Sequence, residues 1–208
     1  AWWGKSMTVG LLVVGEITQH MRDRLDPVFS LHFAGEIDDM TGFLHEEGGT
    51  IAYVLTDGHY GVPRDWMDAL PALKLISNYG VGYDAIDVGL SRDRGVLVTH
   101  TPGVLSDEVA TTALMLMLAS YRNLLASDAY VRAGRWARDG HMPLSRSADN
   151  RRVGILGLGR IGLALAKKLE AFHADIAYHN RNPRDVPYRY CADLVQICLL
   201  YTSDAADE

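Results

Sequence analysis

The sequence predicts an α/β chain with two parallel sheets, and three observations predict it. Apolar runs open near residues 9, 28, 51, 73 and 96, about 19 to 23 residues apart, with helical patterns between them. That beat is strand, helix, strand with right-handed crossovers, so the first hundred residues read as a flavodoxin-like parallel sheet. Near residue 153 a further apolar strand runs straight into Gly157-Leu158-Gly159-Arg160-Ile161-Gly162 and then a helical pattern, Leu163, Leu165, Ala166 and Leu169, the opening of a Rossmann unit. Between the two, residues 104–125 read as one long apolar helix joining an incomplete second domain to the first.

Each element has a local reason. Residues 9–14 are continuously apolar, as a strand buried on both faces must be. Residues 19–25 are helical and closed by Pro27, and 28–33 form the next strand. Residues 38–47 read as a helix with Asp38 as N-cap and Gly48-Gly49 as the stop. Strands follow at 51–55 and 73–77, separated by a short helix over 63–70 that carries Pro63 in its first turn. A helix over 85–94, capped by Asp84 and stopped by Gly95, leads to a strand at 96–99. Thr101-Pro102-Gly103 breaks the pattern and marks a hinge, which sets domains of 1–102 and 103–197. The 104–125 stretch is too apolar for an exposed face, so burial between layers, domains or subunits is expected. A helical piece at 127–132 ends at Gly134, a polar loop covers 141–150, and residues 175–178 form a second strand of the nucleotide unit.

Composition narrows the function. The 208 residues carry a net charge of −6 with no basic run, which argues against a nucleic-acid partner. No apolar stretch approaches the roughly 20 residues that span a bilayer, and no signal peptide opens the chain, so no membrane partner is expected. Cys191 and Cys198 fit no metal spacing and no disulfide framework, as in a reduced, cytoplasmic protein. Residues 1–6 show no structural pattern, and Met7 would be a natural start.

The glycine spacing carries chemistry. Gly157 allows the tight turn out of the strand, Gly159 lets a pyrophosphate approach the backbone, and Gly162 lets the helix pack close to the strand. The helix N-terminus offers unpaired N–H groups to the phosphates, through Leu158, Gly159, Arg160 and Ile161. The alternative is a glycine-rich turn in an ordinary α/β unit. The second strand ends at His179-Asn180-Arg181, where a carboxylate would grip the ribose of NAD. Asn180 followed by Arg181 suits a 2′-phosphate, because a guanidinium binds phosphate through two parallel donors. NADP is therefore preferred, with NAD possible; the alternative for Arg181 is a solvated turn residue.

Four blocks taken together resemble the D-isomer-specific 2-hydroxyacid dehydrogenase family, close to its glyoxylate/hydroxypyruvate reductase branch. They are Asn78-Tyr79-Gly80-Val81-Gly82-Tyr83-Asp84-Ala85-Ile86-Asp87, Thr101-Pro102-Gly103-Val104-Leu105-Ser106-Asp107-Glu108-Val109-Ala110, Arg132-Ala133-Gly134-Arg135-Trp136, and the Gly157–Gly162 loop. The resemblance covers roughly residues 7–197. It implies a substrate domain followed by an inserted nucleotide-binding domain. It implies that the Val81 and Gly82 N–H groups hold a substrate carboxylate, with Leu55-Thr56 lining the same cleft, and that Ser106 lies near the nicotinamide. The alternatives are a tight strand-to-helix turn for Gly80 and Gly82, and an N-cap for Ser106. A homodimer formed through the long helix region is a further implication.

The family's chemistry needs an Arg that binds the keto acid and a His–Glu pair that protonates the carbonyl, all after the fifth strand of the nucleotide domain. The chain does not reach that point. Residues 198–208 resemble a translated sequencing adapter, a non-native tail on a gene cut near Ile197; the alternative is a genuine C-terminus. His100 lies near the hinge, while His59, His141, His173 and His179 read as loop or surface residues, so none is expected to replace the missing acid. Asp84 and Asp87 read as a cap and a helix-start charge, and Cys191 as a buried small residue. The expected activity of the parent is reduction of a small 2-keto acid to the D-2-hydroxy acid, with this chain itself inactive. The rival readings are a nucleotide-sensing, corepressor-like protein and a fragment without function.

Overall fold

The structure is a computed structural model that describes residues 9–202, with side chains through Cys198. The readings of residues 1–6, Met7 and residues 203–208 lie outside the described residues. The chain divides into two compact units, Ala1–Val104 and Leu105–Glu208.

Unit 1 holds five parallel strands: β1 (Val9–Val13), β2 (Phe29–Phe33), β3 (Ile51–Thr56), β4 (Leu75–Asn78) and β5 (Leu97–Thr99). Their spatial order is β2-β1-β3-β4-β5, the doubly wound order of a flavodoxin-like sheet. The helices are α1 (Gln19–Leu25), α2 (Met40–Glu47), α3 (Arg64–Asp68) and α4 (Val88–Asp93). Alternation along the strands builds two apolar layers. Leu12, Val54, Ile76 and Val96 pack with Leu44, Met67 and Leu70 on one face. Leu11, Val13 and Leu55 pack with Met21, Leu25 and Phe29 on the other. In this order the winding of the chain through the parallel strands reverses between β1 and β3, and ligands bind where strands end beside such a reversal.

Two caps differ from the expected ones. Asp39, not Asp38, caps α2 by accepting from the Gly42 N–H at 2.9 Å. Asp87, not Asp84, caps α4 through the Leu90 N–H at 2.8 Å and also meets Arg64 at 3.0 Å. The helix starts late because residues 80–86 are taken up by the turn leaving β4, where Ile86 forms an isolated bridge with Val62.

Unit 2 contains α5 (Ser106–Tyr121), α6 (Leu124–Arg132), α7 (Arg135–Asp139), α8 (Arg160–Leu169) and α9 (Leu194–Thr202), with parallel strands β6 (Arg152–Leu156), β7 (Asp175–His179) and β8 (Arg189–Tyr190). The strand order is β6-β7-β8. The break between the two expected helices falls at Arg122-Asn123 rather than after Leu125. Asn123 adopts a left-handed conformation, φ 50°, which asparagine tolerates better than most residues, and α5 and α6 meet at 58°. Leu114 and Met117 pack toward the core of α8 and β7, but Met115 and Leu116 on the same helix are exposed. Burial of α5 within the chain is thus one-sided. Among the described residues no single helix is long and apolar enough to cross a membrane, although the bent pair of α5 and α6 has the length and composition. Helix α9 extends through Cys198, and its Ile197 packs where Gly154 of β6 lacks a side chain. The two-residue β8 was not foreseen.

Tyr188 fastens the segment before β8 by donating its hydroxyl to Glu170 at 2.6 Å. Burial first, then the neighbouring Glu170 carboxylate, pushes its ionisation up to about 12. A raised value stabilises the fold fully below the ordinary tyrosine range of about 10, and the contribution is lost as pH rises through about 12. Tyr188→Phe should lower the melting temperature at neutral pH and flatten its decline over that alkaline window, as read by thermal denaturation across pH.

Candidate functional site

In unit 1 the site forms where β3 and β4 end. The Tyr79 N–H donates to the Thr56 carbonyl at 2.7 Å, and the Thr56 hydroxyl donates to the Gly61 carbonyl at 2.6 Å, which joins the two strand ends. The chain then turns through Gly80, Val81 and Gly82. The Gly80 carbonyl accepts from the Thr101 N–H at 2.9 Å and from Asn78 Nδ2 at 3.2 Å. The Val81 carbonyl lies 2.9 Å from His100 Nδ1, and the Gly82 carbonyl accepts from Asn78 Nδ2 at 2.7 Å. The N–H groups of Val81 and Gly82 have no acceptor among the described residues. Both residues are exposed, and the nearest atom to where a Gly82 Cβ would stand is Asp84 Oδ2 at 3.9 Å. Gly58 must be glycine here, because a Cβ on it would lie 2.7 Å from the Gly82 carbonyl oxygen.

Leu55 pairs with Ser77, three residues before this turn, and spends its side chain on the apolar layer with Leu11 and Val13, while its carbonyl accepts from the Val14 N–H at 2.8 Å. Asp84 is exposed, with no hydrogen bond or ion pair among the described residues.

In unit 2, β6 ends at Leu156 and the glycine loop begins. Gly157 has φ +91°, a conformation that disfavours any other residue. Its N–H donates to the His179 carbonyl at 2.9 Å. Leu158 is fully buried, and its N–H donates to Asn180 Oδ1 at 2.7 Å. The first intrahelical bond of α8 runs from the Leu163 N–H to the Gly159 carbonyl at 3.0 Å. The N–H groups of Gly159, Arg160, Ile161 and Gly162 precede it and have no acceptor among the described residues. No neighbouring atom stands within 4 Å of where a Gly159 Cβ would be, while a Gly162 Cβ would collide with the Gly157 carbonyl oxygen. An open approach at Gly159 and a closed one at Gly162 fit a bound pyrophosphate.

Asn180 and Arg181 have different surroundings. The Asn180 amide grips the Leu158 peptide from both sides, accepting from its N–H and donating to its carbonyl at 3.4 Å. Arg181 is exposed and has no ion pair or hydrogen bond among the described residues. Arg184, given no role from sequence, also donates to the Leu158 carbonyl, and its backbone N–H is held by the Tyr178 hydroxyl at 2.8 Å. Ser106 is the first residue of α5, but the N-cap position is Leu105 and no side chain caps the helix. The capping alternative for Ser106 is thereby removed. His179 is half-buried rather than a surface residue, its Nδ1 2.8 Å from the Cys191 carbonyl, and Cys191 is buried beside it. Among the described residues no histidine pairs with a carboxylate, and no three metal-ligating side chains converge.

Residues 114–203, a stretch that passes Ile197, match the model of the "D-isomer specific 2-hydroxyacid dehydrogenase, NAD binding domain". The chain is 35% identical over 190 residues to a hydroxyphenylpyruvate reductase of Plectranthus scutellarioides, covering 91% of this chain and 60% of that one. It superposes on a 2-hydroxyacid dehydrogenase from Ketogulonicigenium vulgare with a TM-score of 0.86 at 38% identity, over 91% of this chain and 60% of the other. These matches make the chain similar to D-isomer-specific 2-hydroxyacid dehydrogenases over most of its length. A further similar structure is an NADPH-dependent glyoxylate/hydroxypyruvate reductase from Sinorhizobium meliloti, solved with NADP and malonate. It gives a TM-score of 0.79 at 40% identity, over 91% of this chain and 59% of that one. The chain spans about 60% of the length of these relatives. The glycine loop of unit 2 lies within the stretch that matches the NAD-binding domain.

Gly162→Ala forces a methyl group into the Gly157 carbonyl. It should cost about 1–3 kcal/mol, as overpacking does, in the urea denaturation of the chain. Unchanged stability would contradict the close approach of α8 to the loop.

Proposed function

We propose that this chain carries the carboxylate-binding and dinucleotide-binding parts of a reductase that converts a small 2-keto acid, of glyoxylate or hydroxypyruvate type, to the D-2-hydroxy acid. NADP is the preferred cofactor. One observation carries the reading: two glycine turns, each at the end of a parallel strand, leave consecutive backbone N–H groups without acceptors while their carbonyls are held by the protein. Such N–H groups bind anions. The relative solved with NADP and malonate supports both ligand types.

In this reading bound NADPH supplies a hydride to the carbonyl carbon of the keto acid. Val81 and Gly82 hold the substrate carboxylate through their N–H groups. Leu55 supports them from the apolar layer behind β3. Gly159, Arg160 and Ile161 hold the pyrophosphate, and Gly157 and Gly162 shape the loop that presents them. Leu158 and Asn180 hold each other, which leaves Arg181 as the group that reaches a 2′-phosphate. Ser106, free of a capping role, is the residue this reading assigns to the neighbourhood of the nicotinamide.

The proton for the carbonyl oxygen must come from an acid. The described histidines supply none paired with a carboxylate, and His100 is engaged with the Val81 carbonyl. The chain by itself is therefore proposed not to turn over. We further propose a cytoplasmic protein that binds neither membranes nor nucleic acid and that dimerises through the exposed apolar face of α5 and α6, where Met115, Leu116 and Leu125 lie.

Calorimetric titration of the 208-residue chain with NADPH and NADH tests the cofactor site. Arg181→Gln should weaken NADPH about tenfold, or about 1.4 kcal/mol, and leave NADH within about twofold. Gly159→Ala should keep the wild-type melting temperature and lose both ligands. Equal losses for the two cofactors in Arg181→Gln would reject the 2′-phosphate role, and wild-type binding by Gly159→Ala would reject the loop as the phosphate site. Steady oxidation of NADPH by the purified chain with glyoxylate would contradict its inactivity.

A further inference from the structure

We propose that Asn78 and His100 are positioning residues that set the direction of the two N–H groups in the turn after β4, an inference that rests on reading Val81 and Gly82 as a carboxylate cradle. Asn78 is 1% exposed. Its Nδ2 has two hydrogens, and two carbonyls take them: Gly82 at 2.7 Å and Gly80 at 3.2 Å. The carbonyl between these two, that of Val81, is met by His100 Nδ1 at 2.9 Å. A carbonyl oxygen only accepts, so Nδ1 carries the proton. The His100 ring is itself fixed edge-on to Tyr83, with centroids 4.9 Å apart.

The carbonyl of one residue and the N–H of the next belong to one planar, trans peptide and point opposite ways. The Gly80 carbonyl therefore fixes the Val81 N–H, and the Val81 carbonyl fixes the Gly82 N–H. Asn78, with the Thr101 N–H, sets the first. His100 sets the second. Neither side chain touches the ligand. Asn78 Oδ1 is buried without a partner among the described residues, a cost that an apolar residue at this position would avoid. Only an amide in this place, however, gives both the Gly80 and Gly82 carbonyls a shared donor.

The probe is oxalate, a carboxylate ligand of keto-acid size, followed through the amide signals of Val81 and Gly82 in proton–nitrogen correlation spectra of the 208-residue chain. The wild-type chain should show saturable shifts at both amides. Asn78→Ala should weaken oxalate about tenfold and reduce the Val81 shift most. His100→Phe keeps a ring against Tyr83 but deletes the donor. It should weaken oxalate about threefold, reduce the Gly82 shift most, and leave the melting temperature unchanged. If Asn78→Ala does not fold, His100→Phe decides alone. Wild-type affinity in a folded variant overturns the positioning roles and leaves the cradle standing. A wild-type chain without saturable shifts overturns the cradle, and the positioning roles fall with it.

Discussion

An asparagine amide fastened to the backbone of a glycine turn recurs at both candidate sites, and what each site can bind follows from it. In unit 2, Asn180 holds the N–H and carbonyl of Leu158, so the loop after β6 enters α8 along one path. In unit 1, Asn78 holds the Gly80 and Gly82 carbonyls from inside the fold. A backbone leaving a parallel strand has donors and acceptors that the ladder no longer satisfies. Tying the acceptors to protein side chains leaves the donors for an anion. A free glycine turn would rotate among many conformations and bind any one ligand weakly, because ordering it would draw on the binding energy.

The tethers work because their anchors are buried. Asn78 ends β4, whose Ile76 is fully buried in the larger apolar layer of unit 1. Asn180 follows β7, where Ile176, Ala177 and Tyr178 are buried, and the Tyr178 hydroxyl bonds Arg184, which also holds Leu158. Packing fixes the strand ends, the strand ends fix the amides, and the amides fix the turns.

The sheet order in unit 1 and the glycine loop of unit 2 were legible because they rest on local patterns, an apolar beat and a spacing of glycines with one cause each. The details that decide the sites were not. Asp87 rather than Asp84 caps α4, because the turn before it extends through a pairing of Ile86 with Val62 that no local pattern shows. The break at Asn123 depends on a left-handed residue inside an otherwise helical run. Asn180 was legible as a residue at the ribose position, but its hold on Leu158 crosses 22 residues of chain. His100 and Arg184 act on backbone atoms far from them in sequence, and such contacts leave no periodic trace. The arginine that directly follows Asn180-Arg181-Asn182-Pro183 could have been flagged only as a second cation near a phosphate site.

The central claim is that the protein has already spent some of its backbone donors and kept others for the ligand. The amide signals of the glycine loop during a titration with NADPH test it most directly. The account predicts large shifts for Gly159, Arg160 and Ile161 and little change for Leu158, whose N–H is bonded to Asn180 throughout. A large shift at Leu158 with none at Gly159 or Arg160 would contradict it.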